Sequence, residues 1–232
     1  ALTGEAVAGH HSEGRYDLTK AKGEVAYCRR RAEAMLENAS PLMDIYREDG
    51  AARLNAFLLA DSRTPGRRRH ILHTPPLCTM EPDYLAALLE KQGLPEENRQ
   101  RIRAYARTRR EQLETILLTD TVHLELPRLT ERAFAQFPPA LPLSGLFYGQ
   151  DVPYTYETYL AHLAQTEAFA AAHPRCELEF TGGGAFRNLQ ITIHEGQWAM
   201  VSKGKSPAIH FVIRHPKLRA AIERFVPPVV EE

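Results

Sequence analysis

Residues 174–225 contain the pattern that most constrains the fold: apolar and polar residues alternate there in short runs. The runs cover residues 177–180, 189–194, 198–202 and 209–214. Alternation with a period of two, rich in β-branched and aromatic residues, is typical of half-buried strands. Glu195, Gly196 and Gln197 separate the middle two runs and indicate a tight hairpin. The pattern therefore predicts a small antiparallel sheet.

Helical periodicity dominates the chain upstream of these runs. Apolar residues at three- and four-residue steps predict helices at 19–37, 51–61, 81–91, 95–118, 128–137 and 154–173. A further short helix is expected to start at Pro41 and to end at Gly50. Residues 121–126 alternate and predict a strand, and Pro216 opens a predicted C-terminal helix over 217–225.

We therefore predict an α+β protein, with a helical N-terminal half and a small, mostly antiparallel sheet closed by a C-terminal helix. Residues 1–18 lack periodicity and are expected to be a linker or disordered. Residues 19–118 are assigned to a helical region and residues 119–232 to an α+β region. The two regions either share a core or form loosely joined lobes, and the sequence leaves both arrangements open.

The overall composition excludes several classes of protein. The formal net charge is zero, which argues against a protein that binds nucleic acid through an overall positive surface charge. Cys28, Cys78 and Cys176 are widely spaced, which argues against a disulfide framework and favours a reducing, cytoplasmic compartment. No apolar run approaches the roughly 20 residues that a membrane span needs.

The best candidate for a binding site is the glycine-rich turn at 182–184 with the residues that follow it. Three glycines let backbone donors approach a ligand closely, and Arg187 can fork to a carboxylate or phosphate. A flexible connection between two strands is the competing interpretation. The predicted ligand contacts, chosen by residue type and loop position, are Tyr148, Phe186, Arg187, Asn188, Lys203 and His210.

The histidines and arginines indicate no metal site, cofactor or catalytic group. His70 and His73, with Cys78 nearby, form one incomplete pair where a structural zinc site needs four ligands. His194 and His210 lie on predicted strands, and either one is a candidate general base if the chain is an enzyme. The arginines of helix 95–118 are interpreted as a solvated helix face.

Three stretches carry a family resemblance: AFLL at 56–59 followed by HILHTPPLCTMEPDYLAALLEKQGLPEENRQRIRAYARTRREQLETI at 70–116, TVHLELPRL at 121–129, and FRNLQITIHEGQWAMVSKGKSPAIHFVIRHPKL at 186–218. They resemble the C-terminal region of bacterial helix-turn-helix regulators of the Cro/repressor-like class, of the type found in Firmicutes. They are more distantly similar to the domain that follows the DNA-binding domain in many actinobacterial regulators. The resemblance spans residues 42–225 in outline.

The resemblance implies a non-catalytic sensing and dimerisation domain of a transcription regulator. The DNA-binding helices are then expected upstream of Ala1, and DNA contact only through them. The resemblance brings no established ligand, and the small anionic effector is expected from the residue types of the candidate site. The other expected partner is a second copy of the chain, with no membrane contact. Two alternatives remain: a small hydrolase or transferase with a histidine base, and a protein-interaction module built on the loop 146–154.

Overall fold

A computed structural model describes residues 6–10, 15–37, 42–181, 189–204 and 208–227. The chain divides into two compact units, Ala1–Tyr46 and Arg47–Glu232. In the described part, the α-helices are α1 (Lys22–Glu37), α2 (Leu42–Asp61), α3 (Pro82–Lys91), α4 (Glu96–Leu117), α5 (Glu131–Gln136), α6 (Tyr156–Ala172) and α7 (Pro216–Glu223). None of these helices combines the length and apolar character that crossing a membrane requires.

The strands are β1 (Ala6–His10), β2 (Arg15–Thr19), β3 (Arg68–Ile71), β4 (Val122–Pro127), β5 (Cys176–Thr181), β6 (Leu189–His194), β7 (Trp198–Lys203) and β8 (Ile209–Ile213). Two short 3-10 turns, Leu77–Thr79 and Ser144–Leu146, connect elements of the second unit. The four strands predicted near the C-terminus correspond to β5, β6, β7 and β8, and the predicted C-terminal helix corresponds to α7, so these elements are confirmed. The hairpin between β6 and β7 is also confirmed, with Gly196 at a positive φ of 75°.

The first unit contains an antiparallel hairpin of β1 and β2, followed by α1. The register pairs Val7 with Leu18 and Gly9 with Tyr16. This pairing lies in residues 1–18, where the sequence is expected to be a linker or disordered. The difference has a simple reason: backbone hydrogen bonds between two short strands need no long apolar periodicity.

Helix α2 continues through Gly50, so the prediction of a helix that ends there was wrong. A glycine inside a helix costs about 1 kcal/mol relative to alanine, which weakens a helix but does not end it. A Cβ at Gly50 would lie 2.9 Å from Cζ of Phe147, so the glycine admits this aromatic ring against the helix. Leu54 and Leu58, further along α2, are buried and anchor it to the rest of its unit.

The second unit is built on a six-stranded mixed sheet in the order β5-β4-β3-β6-β7-β8. β3, β4 and β5 run parallel, whereas β6, β7 and β8 pair antiparallel, as does β6 with β3. The chain is therefore an α+β protein, as predicted. The expectation that the run at 177–180 joins the other three runs in one antiparallel sheet was wrong, because β5 pairs parallel with β4 at the opposite edge of the sheet. β3 belongs to the range that was assigned to the helical region, yet it lies in the middle of the sheet. Residues from both predicted regions thus share one core.

Helices cover the two faces of this sheet unequally. The larger core lies on the face formed by Val122, Leu124 and Leu126 of β4, which is covered by helices that include α3, α4 and α6. The opposite face carries a smaller cluster around Ile193, with Ile222 and Phe225 from α7 and the chain just after it. The candidate site lies on the first face, where helix α4 passes over the central strands.

Candidate functional site

The helix-covered face of the sheet is apolar at its sides and polar in its centre. Residues paired across neighbouring strands lie on the same face, so each row of partners can be followed through the sheet. One row contains Leu178, Leu124, His70, Thr192, Met200 and Val212. The next row contains Cys176, Val122, Arg68, His194 and Trp198. The polar members belong to β3 and β6, the strands where a purely structural sheet would be expected to be most apolar.

A buried carboxylate organises the second of these rows. Asp61, the last residue of α2, accepts hydrogen bonds from Arg68 Nε at 3.1 Å, His194 Nδ1 at 2.6 Å and Trp198 Nε1 at 2.9 Å. The Arg68 side chain is only 1% exposed, and His194 is fully buried. A charge can be buried at this depth when it is paired and its hydrogen bonds are satisfied. The cluster ties α2 to three strands of the sheet.

Arg68 is fully occupied by this structural role. Besides its bond to the carboxylate, its NH2 donates to the carbonyl oxygens of Asp61 and Thr64, both at 2.6 Å. Its NH1 donates to the carbonyl oxygen of Gly66 at 2.5 Å. The guanidinium thus holds the turn between α2 and β3 in place, and its charge is compensated by Asp61.

The His194–Asp61 pair has the arrangement in which a carboxylate orients a catalytic histidine, but the second ring nitrogen is covered. His194 Nε2 lies 3.0 Å from the carbonyl oxygen of Pro65. The next residue, Gly66, packs so closely that a Cβ there would lie 2.3 Å from the same nitrogen. A general base must reach the proton that it abstracts. His194 therefore presents no ring nitrogen to a substrate in this structure.

A cavity of about 100 Å³ lies beside this cluster, between the polar centre of the sheet and α4. Its polar lining comes from β3, the segment after it, α4, the second 3-10 turn and β6, and includes His70, Thr74, Tyr105, Arg109, Gln112 and Ser144. Leucine and isoleucine side chains and Trp198 supply the apolar part of the wall. Asp61 and Arg68 form part of the wall as the pair already described.

Arg109 brings a positive charge to the cavity that no described carboxylate neutralises within ion-pair distance. Its NH1 donates to Gln112 Oε1 at 2.5 Å, one turn further along α4. That bond fixes the orientation of the Gln112 amide, whose Nε2 is buried without a hydrogen-bond partner among the described residues. The buried Thr74 Oγ1 is unpartnered in the same sense. Buried polar atoms are nearly always paired, so two such atoms in one cavity indicate a place for a ligand.

Burial keeps the other titratable groups of the cavity uncharged. Burial, followed by the charges of Arg109 and Arg68, lowers the pKa of His70 to about 3. Burial raises the pKa of the Cys78 thiol and of the Tyr105 hydroxyl, and Arg109 opposes both shifts. At neutral pH the cavity therefore presents one uncompensated guanidinium among neutral hydrogen-bonding groups.

Two histidines, the fully buried His162 and the half-buried His210, form hydrogen bonds to turns that border the cavity. His210 Nε2 donates to the carbonyl oxygen of Ser144 at 3.1 Å, so Nδ1 accepts from Ser202 Oγ at 2.8 Å. Similarly, His162 Nε2 donates to the carbonyl oxygen of Pro76 at 3.2 Å, and Nδ1 accepts from a tyrosine hydroxyl. Burial lowers the pKa of both histidines, for His162 to about 3, which fits these neutral tautomers. Both histidines therefore have a structural role, in which their hydrogen bonds hold the two turns in place.

Of the ligand contacts predicted from the sequence, the three that the structure describes, Tyr148, Lys203 and His210, do not line this cavity. Phe186, Arg187 and Asn188 lie outside the described residues, so their assignment stays a prediction, as does that of the glycine-rich turn. Among the others, Lys203 follows Ser202 on β7 and alternates to the opposite face. Tyr148 packs against the larger core with its hydroxyl buried. His210 lies outside the lining and is hydrogen-bonded to the carbonyl oxygen of Ser144, which belongs to it.

Sequence reasoning missed Arg109, Gln112 and Thr74. The signal that could have revealed Arg109 is its position on α4, where Tyr105 is four residues before it and the buried Leu113 four residues after it. An arginine on the apolar stripe of a helix differs from one on the solvated face. Gln112 and Thr74 carry no comparable signal, because their burial depends on strands and turns that are distant in sequence.

One further expectation can be compared with the structure. An exposed apolar patch on the loop 146–154 would favour a protein-interaction module. In the structure, however, Leu146, Val152 and Tyr154 of this loop are each at most 5% exposed. Within the described residues, no group of three or more His, Cys, Asp or Glu side chains is arranged to hold a metal ion. We take the cavity as the candidate site because Arg109 and the unpartnered groups of Gln112 and Thr74 line it together.

Comparison with known proteins gives no relative from which a role could be transferred. No family model matches the chain, and no curated protein or solved structure matches it significantly.

Proposed function

We propose that this chain is a non-catalytic, effector-sensing domain of a bacterial transcription regulator, and that a small anion binds in the cavity. The observation that carries the proposal is the convergence of an uncompensated Arg109 with two unpartnered buried groups, on Gln112 and Thr74. The proposed class of ligand agrees with the anionic effector expected from the residue types of the predicted contacts. The residues that we propose to bind the anion, Arg109, Gln112 and Thr74, differ from the contacts predicted from the sequence.

The mechanism we propose is a shift between two populations of the domain. Arg109 and Gln112 are on α4, whereas Thr74 follows β3. A ligand that bonds to both would hold the helix and the sheet in one arrangement and disfavour others. In a regulator, the linked DNA-binding segments and a second copy of the chain would respond to that arrangement, with DNA contact made outside this chain.

The free cysteines support the proposed cytoplasmic location. Cys28, Cys78 and Cys176 form no disulfide. Unpaired thiols are typical of proteins kept in a reducing compartment.

The competing enzyme hypothesis rests on His194 or His210 as a base. Each has both ring nitrogens engaged by protein atoms. A base that must first break a buried hydrogen bond is a poor starting point for proton abstraction. We therefore favour binding over catalysis at this site.

The proposal is tested by thermal unfolding and sedimentation velocity of the 232-residue chain. We expect small anions at fixed ionic strength to raise the unfolding midpoint by a few degrees, because a ligand that binds the folded state stabilises it. We also expect the same anions to change the sedimentation coefficient.

Fluorescence anisotropy with duplex DNA supplies the complementary measurement. We expect no tight binding by this chain at about 0.15 M salt, since its net charge is zero. Tight, salt-dependent binding would contradict a function in which DNA is contacted elsewhere. If small anions leave the unfolding midpoint unchanged, the proposed sensing function is contradicted.

A further inference from the structure

The charge of the cavity limits the charge of its ligand. Asp61, Arg68 and Arg109 are the charged side chains among the described residues that line it. Asp61 is shared by Arg68, at 3.1 Å, and by His194 Nδ1, at 2.6 Å, whereas Arg109 has no described carboxylate within ion-pair distance. Arg109 is therefore the lining group that a bound anion would neutralise, and a monoanion is sufficient for that. A phosphate monoester carries roughly one and a half to two negative charges at neutral pH and would be left with uncompensated charge on burial.

The donors around Arg109 suit the two oxygens of a carboxylate. A guanidinium is a planar fork that matches a carboxylate in a bidentate way. Gln112 Nε2 and Thr74 Oγ1 add donors that the described residues leave unsatisfied. Both residues are at least nine-tenths buried, at 5% and 2% exposure. A carboxylate has enough lone pairs to accept from all three side chains.

The size and the apolar walls limit the rest of the ligand. The cavity measures about 100 Å³, and leucine side chains such as Leu72 and Leu113 line it beside Trp198. A dry cavity of about 150 Å³ in another protein accommodates benzene. A ligand of roughly four to six non-hydrogen atoms therefore fits here. Beyond its carboxylate, such a ligand has room for a short alkyl chain.

We propose that the cavity binds a short-chain monocarboxylate, with its carboxylate on Arg109, Gln112 and Thr74 and its alkyl chain against the leucines and Trp198. This assignment rests on the proposed anion-sensing function and specifies the class of its ligand.

Isothermal titration calorimetry of the whole chain, in buffer matched with sodium chloride, tests the ligand class. We expect saturable binding of propionate and butyrate, and binding at least about tenfold weaker for butyramide, which keeps the shape of butyrate without its charge. Octanoate should bind more weakly than butyrate because its chain exceeds the cavity. Inorganic phosphate is titrated in parallel.

Single substitutions test whether butyrate binds in this cavity. Arg109→Met keeps the aliphatic stem and removes the charge, so butyrate affinity should fall about tenfold or more. Arg107→Met is the matched control: Arg107 is exposed on the same helix and should leave binding unchanged. Thr74→Val should weaken binding roughly three- to tenfold while leaving the unfolding midpoint of the free protein unchanged or higher, because it removes an unsatisfied hydroxyl.

The outcomes separate the two proposals. Phosphate binding that depends on Arg109, without binding of any carboxylate, would overturn the ligand class and leave anion sensing intact. Failure of every anion to bind would overturn both. Butyrate binding that survives Arg109→Met would overturn the site. If Arg109→Met does not fold by circular dichroism, Gln112→Met decides in its place: weaker butyrate binding supports the site and unchanged binding overturns it.

Discussion

Gly66 illustrates how a single residue can fix a buried histidine. Its φ of 142° is rarely adopted by residues with a Cβ, and a Cβ there would lie 2.3 Å from His194 Nε2. The turn can therefore cover the histidine only with glycine at this position. The consequence is functional, because the covered nitrogen is the one that a base would need.

We expect Gly66→Ala to destabilise the protein by more than about 2 kcal/mol, from backbone strain together with disruption of the buried hydrogen-bond network. Urea unfolding followed by circular dichroism measures the change. Gly93→Ala is the control, since Gly93 also has a positive φ, of 66°, but nothing lies within 4 Å of an added Cβ. The control should lose only about 1 kcal/mol. Equal losses at the two positions would contradict the steric argument.

At the scale of single elements, the site depends on how α6 is held. Thr155 caps this helix in a capping box with Thr158, in which each side chain bonds to the other residue's backbone nitrogen. The helix in turn carries His162, which donates to the carbonyl oxygen of Pro76 at the edge of the cavity. The start of a helix is thus connected to the wall of the site.

We expect Thr155→Ala to lower the free energy of unfolding by about 1 kcal/mol, because the cap satisfies backbone donors that the helix itself leaves free. Thermal unfolding measures the loss. Thr115→Ala provides the comparison: Thr115 is exposed inside α4 and bonds only back to Glu111, so alanine should be neutral or slightly stabilising. A loss at Thr115 as large as that at Thr155 would argue against the capping role.

At the scale of the whole molecule, buried neutral histidines make stability depend on pH. The folded protein depresses the pKa of His162 from 6.5 to about 3, so the unfolded chain binds a proton that the folded one excludes. The stabilisation is present above pH 6.5 and is lost as the pH falls toward 3. His70, whose pKa is also lowered to about 3, adds to the same dependence.

We expect the free energy of unfolding to fall between pH 6.5 and 5, where ordinary carboxylates do not yet titrate. His162→Gln should reduce the slope by roughly 1 kcal/mol per pH unit, because one proton is removed from the difference between the two states. Urea unfolding at several pH values measures the slopes. His215→Gln, at an exposed position, controls for the loss of a histidine. A slope unchanged by His162→Gln would contradict the burial argument.

The helix faces, the β6–β7 hairpin and the C-terminal helix could be predicted because their signals are local. Periodicity over a few residues defines which side of an element is buried, and Glu195-Gly196-Gln197 marks its own turn. The same local reasoning failed at Gly50, where a glycine weakens a helix in isolation but admits Phe147 in the folded protein. The fold favours a glycine at position 50, but the reason is the packing of Phe147 against the helix and not the end of a helix.

The cavity could not be predicted, because its walls come from segments that are far apart in sequence. Asp61 and His194 are 133 positions apart, and their contact depends on β3 pairing between β4 and β6. Whether Arg109 faces solvent or a cavity depends on which surface of α4 meets the sheet. Local patterning thus specified the elements and their apolar faces. Only the tertiary structure decided which charged and polar side chains would be buried together, since burial is set by neighbours that no local pattern identifies.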